Sequence, residues 1–228
     1  MLQQRASTWV KICGTTSLRD AQLSIAVGAN ALGFVFAPSP RRIELSAAAE
    51  IVAALAGEAD TIGVFVNEEP ALLAEIVRRV GLSGVQLHGD ESPRQAADIR
   101  ARLQQKKIIK TLSAHQLMDN GEEILKGWLG ASESVDAILL DSGSSQQRGG
   151  TGVPFDWEEI APIAATIRQK MPLIIAGGLN SGNVAHAIEL FHPWGVDVVS
   201  GVEQEPGQKD ETKLRDFMTA VRAQTATL

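Results

Sequence analysis

Polar side chains stand where short apolar runs end: Cys13 closes the first run, Gln86 and His88 the fourth, Asp141 the sixth, and Asp197 lies in the eighth. These types suit acid–base chemistry, since an ionised thiol is a nucleophile or base and a carboxyl can deliver a proton. Each also has a plainer reading. A lone cysteine packs as an inert apolar group, a strand-end aspartate caps or turns the chain, and a lone histidine is a hydrogen-bonded core residue. Taken singly, the plain readings win. Gathered on one rim, the functional reading wins.

Two further features bear on that rim. Lys11 and Cys13 lie two residues apart, so a strand presents them on one face, with Val10 and Ile12 on the other. If their face points inward, the Lys11 ammonium favours the Cys13 thiolate. The alternative is that Lys11 pairs with a core carboxylate. Glycine turns follow the last two runs: Ala176-Gly177-Gly178-Leu179-Asn180 and Ser200-Gly201-Val202-Glu203. Glycine lets backbone N–H groups approach an anion, and the following helix N-terminus adds its dipole. A third run, Arg148-Gly149-Gly150-Thr151-Gly152, is long enough for a flap over the site. The sequence has no Walker A loop, no Gly-x-Ser-x-Gly elbow and no His-Glu-x-x-His, and its four histidines are scattered, so no metal site is expected.

The elements that must position these groups alternate. Strands are expected at residues 9–13, 31–36, 61–66, 84–88, 107–111, 136–141, 172–176 and 195–200, with helical periodicity between them, as at 47–55, 72–80 and 184–190. Ser17 with Asp20 and Asp156 with Glu159 have capping-box spacing, Ser92-Pro93 starts a helix, and Asn180 is expected to cap the helix after the seventh strand. The last helix is expected at 211–223. The fifth, at 114–126, is the weakest, because Asn120-Gly121 interrupts its pattern. Strict alternation predicts parallel strands joined by right-handed crossovers. Eight such units predict an α/β fold closed as a single (β/α)8 barrel of the TIM type, with the phosphate site after strands 7 and 8. A doubly wound sheet would call for Gly-x-Gly-x-x-Gly after the first strand, where Cys13-Gly14-Thr15-Thr16 stands. One domain is expected over residues 1–228, residues 1–8 forming an N-terminal extension.

Composition sets outer limits. At 44% hydrophobic and 21% charged over 228 residues, the chain can bury a sizeable core. A net charge of −6 argues against nucleic acid as a partner, so an anionic ligand must be held by local groups. One cysteine excludes an internal disulfide and fits a reducing cytosol. Neither a signal peptide nor a membrane-length apolar run is visible, so a cytoplasmic protein without membrane contact is expected.

Lys11-Ile12-Cys13-Gly14, Gly33-Phe34-Val35-Phe36 leading to Ser39-Pro40-Arg41, Val64-Phe65-Val66-Asn67 and Val85-Gln86-Leu87-His88-Gly89 resemble blocks of the phosphoribosylanthranilate isomerase family of tryptophan biosynthesis. Leu139-Leu140-Asp141, Gly149-Gly150-Thr151-Gly152, Phe155-Asp156-Trp157, Ala176-Gly177-Gly178-Leu179 and Ser200-Gly201-Val202-Glu203 extend the likeness in family order. The resemblance implies an Amadori rearrangement of N-(5-phosphoribosyl)anthranilate, with Cys13 as general base and Asp141 as general acid. It places Arg41, which Arg42 follows directly, beside the substrate, and Gln86, His88 and Asp197 along the pocket. Gly177, Gly178, Ser200 and Gly201 match the phosphate-binding segments. One departure is Val199, where the family carries serine; backbone N–H contacts survive that change.

The chemistry asks for the same types. Opening a furanose needs an acid protonated near neutral pH, a state that partial burial of a carboxyl favours. The resulting iminium acidifies the neighbouring sugar carbon, whose proton a thiolate can remove. Nothing is oxidised, so no cofactor or metal is implied. The partner is a small phosphorylated substrate, and the protein a monomer or homodimer. The histidine-pathway isomerase uses two aspartates, which Cys13 argues against. Indole-glycerol-phosphate synthase needs a strand-end lysine, for which Lys110 is the nearest match. A silent phosphometabolite-binding barrel would have no need of both Cys13 and Asp141.

Overall fold

The computed structural model describes residues 7–141 and 157–225; the expected flap at 148–152 and the Asp156 cap lie outside these residues. In chain order the elements are β1 (Trp9–Cys13), α1 (Leu18–Ala26), β2 (Ala31–Val35), α2 (Leu45–Ala54), β3 (Asp60–Phe65), α3 (Pro70–Val80), β4 (Gly84–Leu87) and α4 (Pro93–Arg102). They continue with β5 (Lys107–Ser113), α5 (Ala114–Gly130), β6 (Ala137–Asp141), α6 (Trp157–Arg168), β7 (Leu173–Ala176), α7 (Val184–Phe191) and β8 (Gly195–Val198). A 3-10 turn (Ser200–Val202), β9 (Glu203–Glu205), β10 (Gln208–Lys209) and α8 (Glu211–Thr225) complete the order.

Strands β1 to β8 form a closed, all-parallel barrel, β8 pairing back onto β1 with Lys11 opposite Asp197. Period two divides the strand side chains between two cores. Trp9, Ala31, Ile62, Ile109, Leu139 and Ile174 pack inside the barrel. Val10, Ile12, Leu32, Phe34, Leu140 and Val196 face outward and pack under the helices. Burial on both faces explains why these runs read as almost continuously apolar. No helix of the described residues is long and apolar enough to cross a membrane.

Local signals act mostly as expected. Ser17 caps α1, accepting the Asp20 N–H at 3.1 Å, a contact that contributes about 1 kcal/mol. Ser92 and Gln95 form a reciprocal capping box, with Pro93 at the first helical position. Three expectations are corrected. The cap of α7 is Asn183, because Asn180 turns its Oδ1 to the Gly182 N–H at 2.8 Å while Asn183 Oδ1 takes the Asn180 N–H at 2.8 Å. Helix α5 runs unbroken through Asn120-Gly121 to Gly130. Buried Leu117, Leu125 and Trp128 anchor it, and their packing outweighs the roughly 1 kcal/mol helix cost of glycine. Strand β8 stops at Val198 because Val199 (φ −124, ψ −88) leaves the extended region, so Ser200 opens a turn instead of ending a strand.

Candidate active site

The inward face of β1 carries Trp9, Lys11 and Cys13, so the expected shared face is present and points into the barrel. Lys11, fully buried, donates to Asp197 Oδ1 at 3.0 Å. Burial alone would strip its charge, but the Asp197 carboxylate beside it holds the Lys11 pKa above the usual lysine range. Both readings of Lys11 therefore apply: it pairs with a core carboxylate, and its charge also pulls the Cys13 pKa down.

The Cys13 thiol is 5% exposed, and Gly33, its register partner on β2, makes the space for it. A Cβ at residue 33 would stand 2.5 Å from Cys13 Sγ. Lys11 favours the thiolate as expected, but it does not decide the net sign. Burial pushes the thiol pKa up, the Asp197 carboxylate adds to that, and the opposing pulls of Lys11 and Lys209 do not overcome it. Without substrate, the thiol form is the stable one at neutral pH.

Across the basin, Asp141 ends β6, three strands from β1 around the ring. His88 follows β4, and its Nε2 lies 4.0 Å from Asp141 Oδ2, an ion-pair distance too long for a direct hydrogen bond. Gln86 Nε2 lies 3.0 Å from His88 Nδ1 and 3.1 Å from Thr111 Oγ1. With the amide nitrogen as donor, His88 keeps its proton on Nε2 and points it toward Asp141. Burial also pulls the His88 pKa below its usual value, which agrees with a neutral ring.

Arg41 and Arg42 separate cleanly. Arg42 is exposed, whereas Arg41 lies at the rim. Its Nη2 donates to Glu203 Oε2 at 2.7 Å and its Nε lies 3.0 Å from both carboxylate oxygens. Glu203 also accepts from Lys209 Nζ at 3.0 Å, and Lys209 Nζ donates to the Cys13 carbonyl. Burial pushes Glu203 up, but Arg41 and Lys209 outweigh it and hold the carboxyl below its usual range. Sequence reading missed Lys209 altogether and saw Glu203 only as part of a glycine turn. The available signal was Pro206-Gly207, which folds β9 against β10 and carries Lys209 back over β1.

The glycine turns also differ from each other. Gly177 (φ 97) and Gly178 (φ 65) hold left-handed backbone, and a Cβ on Gly178 would meet nothing within 4 Å. The Gly178 carbonyl is tied back by Asn183 Nδ2 at 3.1 Å and Asn180 Nδ2 at 3.3 Å. Gly201 is crowded instead: its Cβ would collide with the Leu179 carbonyl, so the two turns pack on each other through it. Val199 lines the same corner, its Cγ1 3.4 Å from where a Gly14 Cβ would stand. Lys110 is not part of the basin. It shares the outward face of β5 with Ile108, pairs with Glu91 at 2.7 Å and lies over the Trp128 ring. No cluster of three or more metal-ligating side chains occurs among the described residues.

A closed parallel barrel whose C-terminal strand ends gather a thiol, an aspartate and an imidazole is the architecture of a barrel enzyme. The chain belongs to the N-(5'-phosphoribosyl)anthranilate isomerase family, whose model matches residues 10–220. The family's members are aldose–ketose isomerases of tryptophan biosynthesis. The isomerase of Pelobacter propionicus is 43% identical over 210 residues, covering 92% of this chain and 93% of its own. The isomerase of Thermotoga maritima superposes with a TM-score of 0.80 at 37% identity, covering 95% of this chain and 99% of its own. A phosphoribosyl anthranilate isomerase in complex with reduced 1-(o-carboxyphenylamino)-1-deoxyribulose 5-phosphate superposes with a TM-score of 0.78 at 36% identity, covering 95% and 99% of the two chains.

Proposed function

We propose that this chain converts N-(5-phosphoribosyl)anthranilate into 1-(2-carboxyphenylamino)-1-deoxyribulose 5-phosphate, with Asp141 as general acid and Cys13 as general base. The supporting observation is that both groups end inward-facing positions, on β6 and β1, and flank one basin. Asp141 protonates the furanose oxygen, the ring opens, and the anilino nitrogen supplies the electron pair that makes the iminium. Cys13 then removes the proton from the adjacent sugar carbon, giving an enolamine that tautomerises to the ketone. The raised thiol pKa suits this order, since an iminium cation beside a buried thiol favours its ionisation only once the ring is open.

The remaining residues position the substrate. Arg41 offers a cation at the rim, and His88 and Asp197 present a donor and an acceptor toward the sugar. Gln86 Oε1 is buried with no protein partner among the described residues, an acceptor available to a sugar hydroxyl. Backbone N–H groups at Gly177, Gly178, Ser200 and Gly201 take the phosphate, and the open space at Gly178 supports that placement.

Asp141→Asn tests the assignment of the acid. Asparagine keeps the shape but has no proton to give, so kcat should fall by at least about 10²–10⁴-fold with little change in KM. A variant within a few-fold of wild type would make Asp141 a capping residue and leave the mechanism without its acid.

A further inference from the structure

We propose that Lys209 is a positioning residue for the Cys13 thiolate, its buried ammonium fixing the end of β1 and supplying the positive charge that the thiolate neutralises. The inference rests on Cys13 being the base. Lys209 lies outside the barrel sheet, on the short strand β10, yet its side chain is fully buried. Its Nζ donates to the Cys13 carbonyl at 2.5 Å and pairs with Glu203 Oε1 at 3.0 Å. The hairpin that carries it is fastened on both sides. Thr16 donates to the Gly207 carbonyl at 2.5 Å, and Asp20 accepts the Lys209 backbone N–H at 3.2 Å. Those bonds hold Lys209 against the peptide that leads into Gly14, whose φ of 78 turns the chain away from β1.

The charges around the thiol point the same way. The thiol is faced by Lys11 on its own strand, Asp197 from β8, Lys209 from β10 and Arg41 from the segment after β2, with Glu203 between Arg41 and Lys209. Lys11 is paired with Asp197, which Asp141 also faces, while Arg41 and Lys209 share the one carboxylate of Glu203; Asp20 meets Lys209 through its backbone N–H. Two cations on one carboxylate leave Lys209 with charge to offer a Cys13 thiolate. A buried lysine kept only to staple the hairpin would need its carboxylate alone, not the excess charge. Lys209 also acts on the thiol in the expected direction, pulling its pKa down against burial.

Cys13 is the only cysteine, so its ionisation can be read by alkylation with iodoacetamide as a function of pH. Two variants are compared with wild type, each checked for folding by thermal melting. Lys209→Met removes the charge and should move the alkylation midpoint up by roughly one pH unit, with the ascending limb of kcat/KM moving by a similar amount. Glu203→Gln leaves the cations underneutralised and should move both midpoints down. It decides the matter if Lys209→Met does not fold. Unchanged alkylation midpoints in folded variants, or shifts of the same sign in both, would overturn the proposal. Midpoints that shift in alkylation but not in kcat/KM would support the hold of Lys209 on the thiolate and remove Cys13 from the reaction.

Discussion

Replacing Gly33 by alanine tests whether the position of the Cys13 sulfur matters to turnover. The added methyl carbon would stand 2.5 Å from Sγ and 3.0 Å from both Cα and Cβ of Cys13. Non-bonded carbons rest about 3.5–4.0 Å apart, so the sulfur must retreat by roughly 1 Å. Rotation can move Sγ but not Cα, which is the register partner of residue 33, so β1 and β2 must also spread. Overpacking of this kind costs about 1–3 kcal/mol, or roughly 2–12 °C in Tm for a chain of this size. Misplacing a reacting atom by about 1 Å costs on the order of 10²-fold in rate. Gly57→Ala is the control. Gly57, unlike the strand residue Gly33, holds left-handed backbone (φ 84), but its Cβ would meet nothing within 4 Å, so the change adds only backbone strain of about 1–2 kcal/mol. Steady-state kinetics and thermal melts of both variants should show comparable losses of Tm and a loss of kcat in Gly33→Ala alone. Wild-type kcat in Gly33→Ala, or equal losses of kcat in the two variants, would refute the reasoning.

The two glycine turns should respond differently. Gly178→Asp has room for its side chain and should fold, but a carboxylate at the phosphate position should raise KM strongly; an unchanged KM would move the phosphate elsewhere on the rim. Gly201→Ala drives a methyl into the Leu179 carbonyl and should lose more than about 3 kcal/mol of stability, whereas a normal melt would show that the turns are not packed as described.

The barrel was legible because each strand sorts its residues with period two and each crossover is helical. Lys11 and Cys13 could be placed on one face for the same reason. Two local signals failed where tertiary contacts overrode them. Gly121 reads as a helix breaker until the buried Leu117, Leu125 and Trp128 are seen to anchor α5, and Asn180 reads as a cap until Asn183 takes that place. Lys209 was invisible for a different reason. In Gln208-Lys209-Asp210 it reads as one charge on a solvated turn, and only the β9–β10 hairpin, closed at Pro206-Gly207, buries it against the Cys13 carbonyl. The sign of the thiol's pKa shift was likewise out of reach, since it depends on how completely Gly33 and its neighbours seal the sulfur from water.

In the proposed reaction a cysteine thiolate at residue 13 drives the rearrangement. Its most direct test is turnover of N-(5-phosphoribosyl)anthranilate by wild type and Cys13→Ser, followed by loss of anthranilate fluorescence. Wild type should consume the substrate catalytically. The serine variant should melt near the wild-type Tm and turn over almost nothing, because a hydroxyl ionises far less readily than a thiol of reference pKa about 8.5. A folded serine variant with near-normal kcat, or a wild-type protein that saturates with substrate and consumes none, would contradict the account.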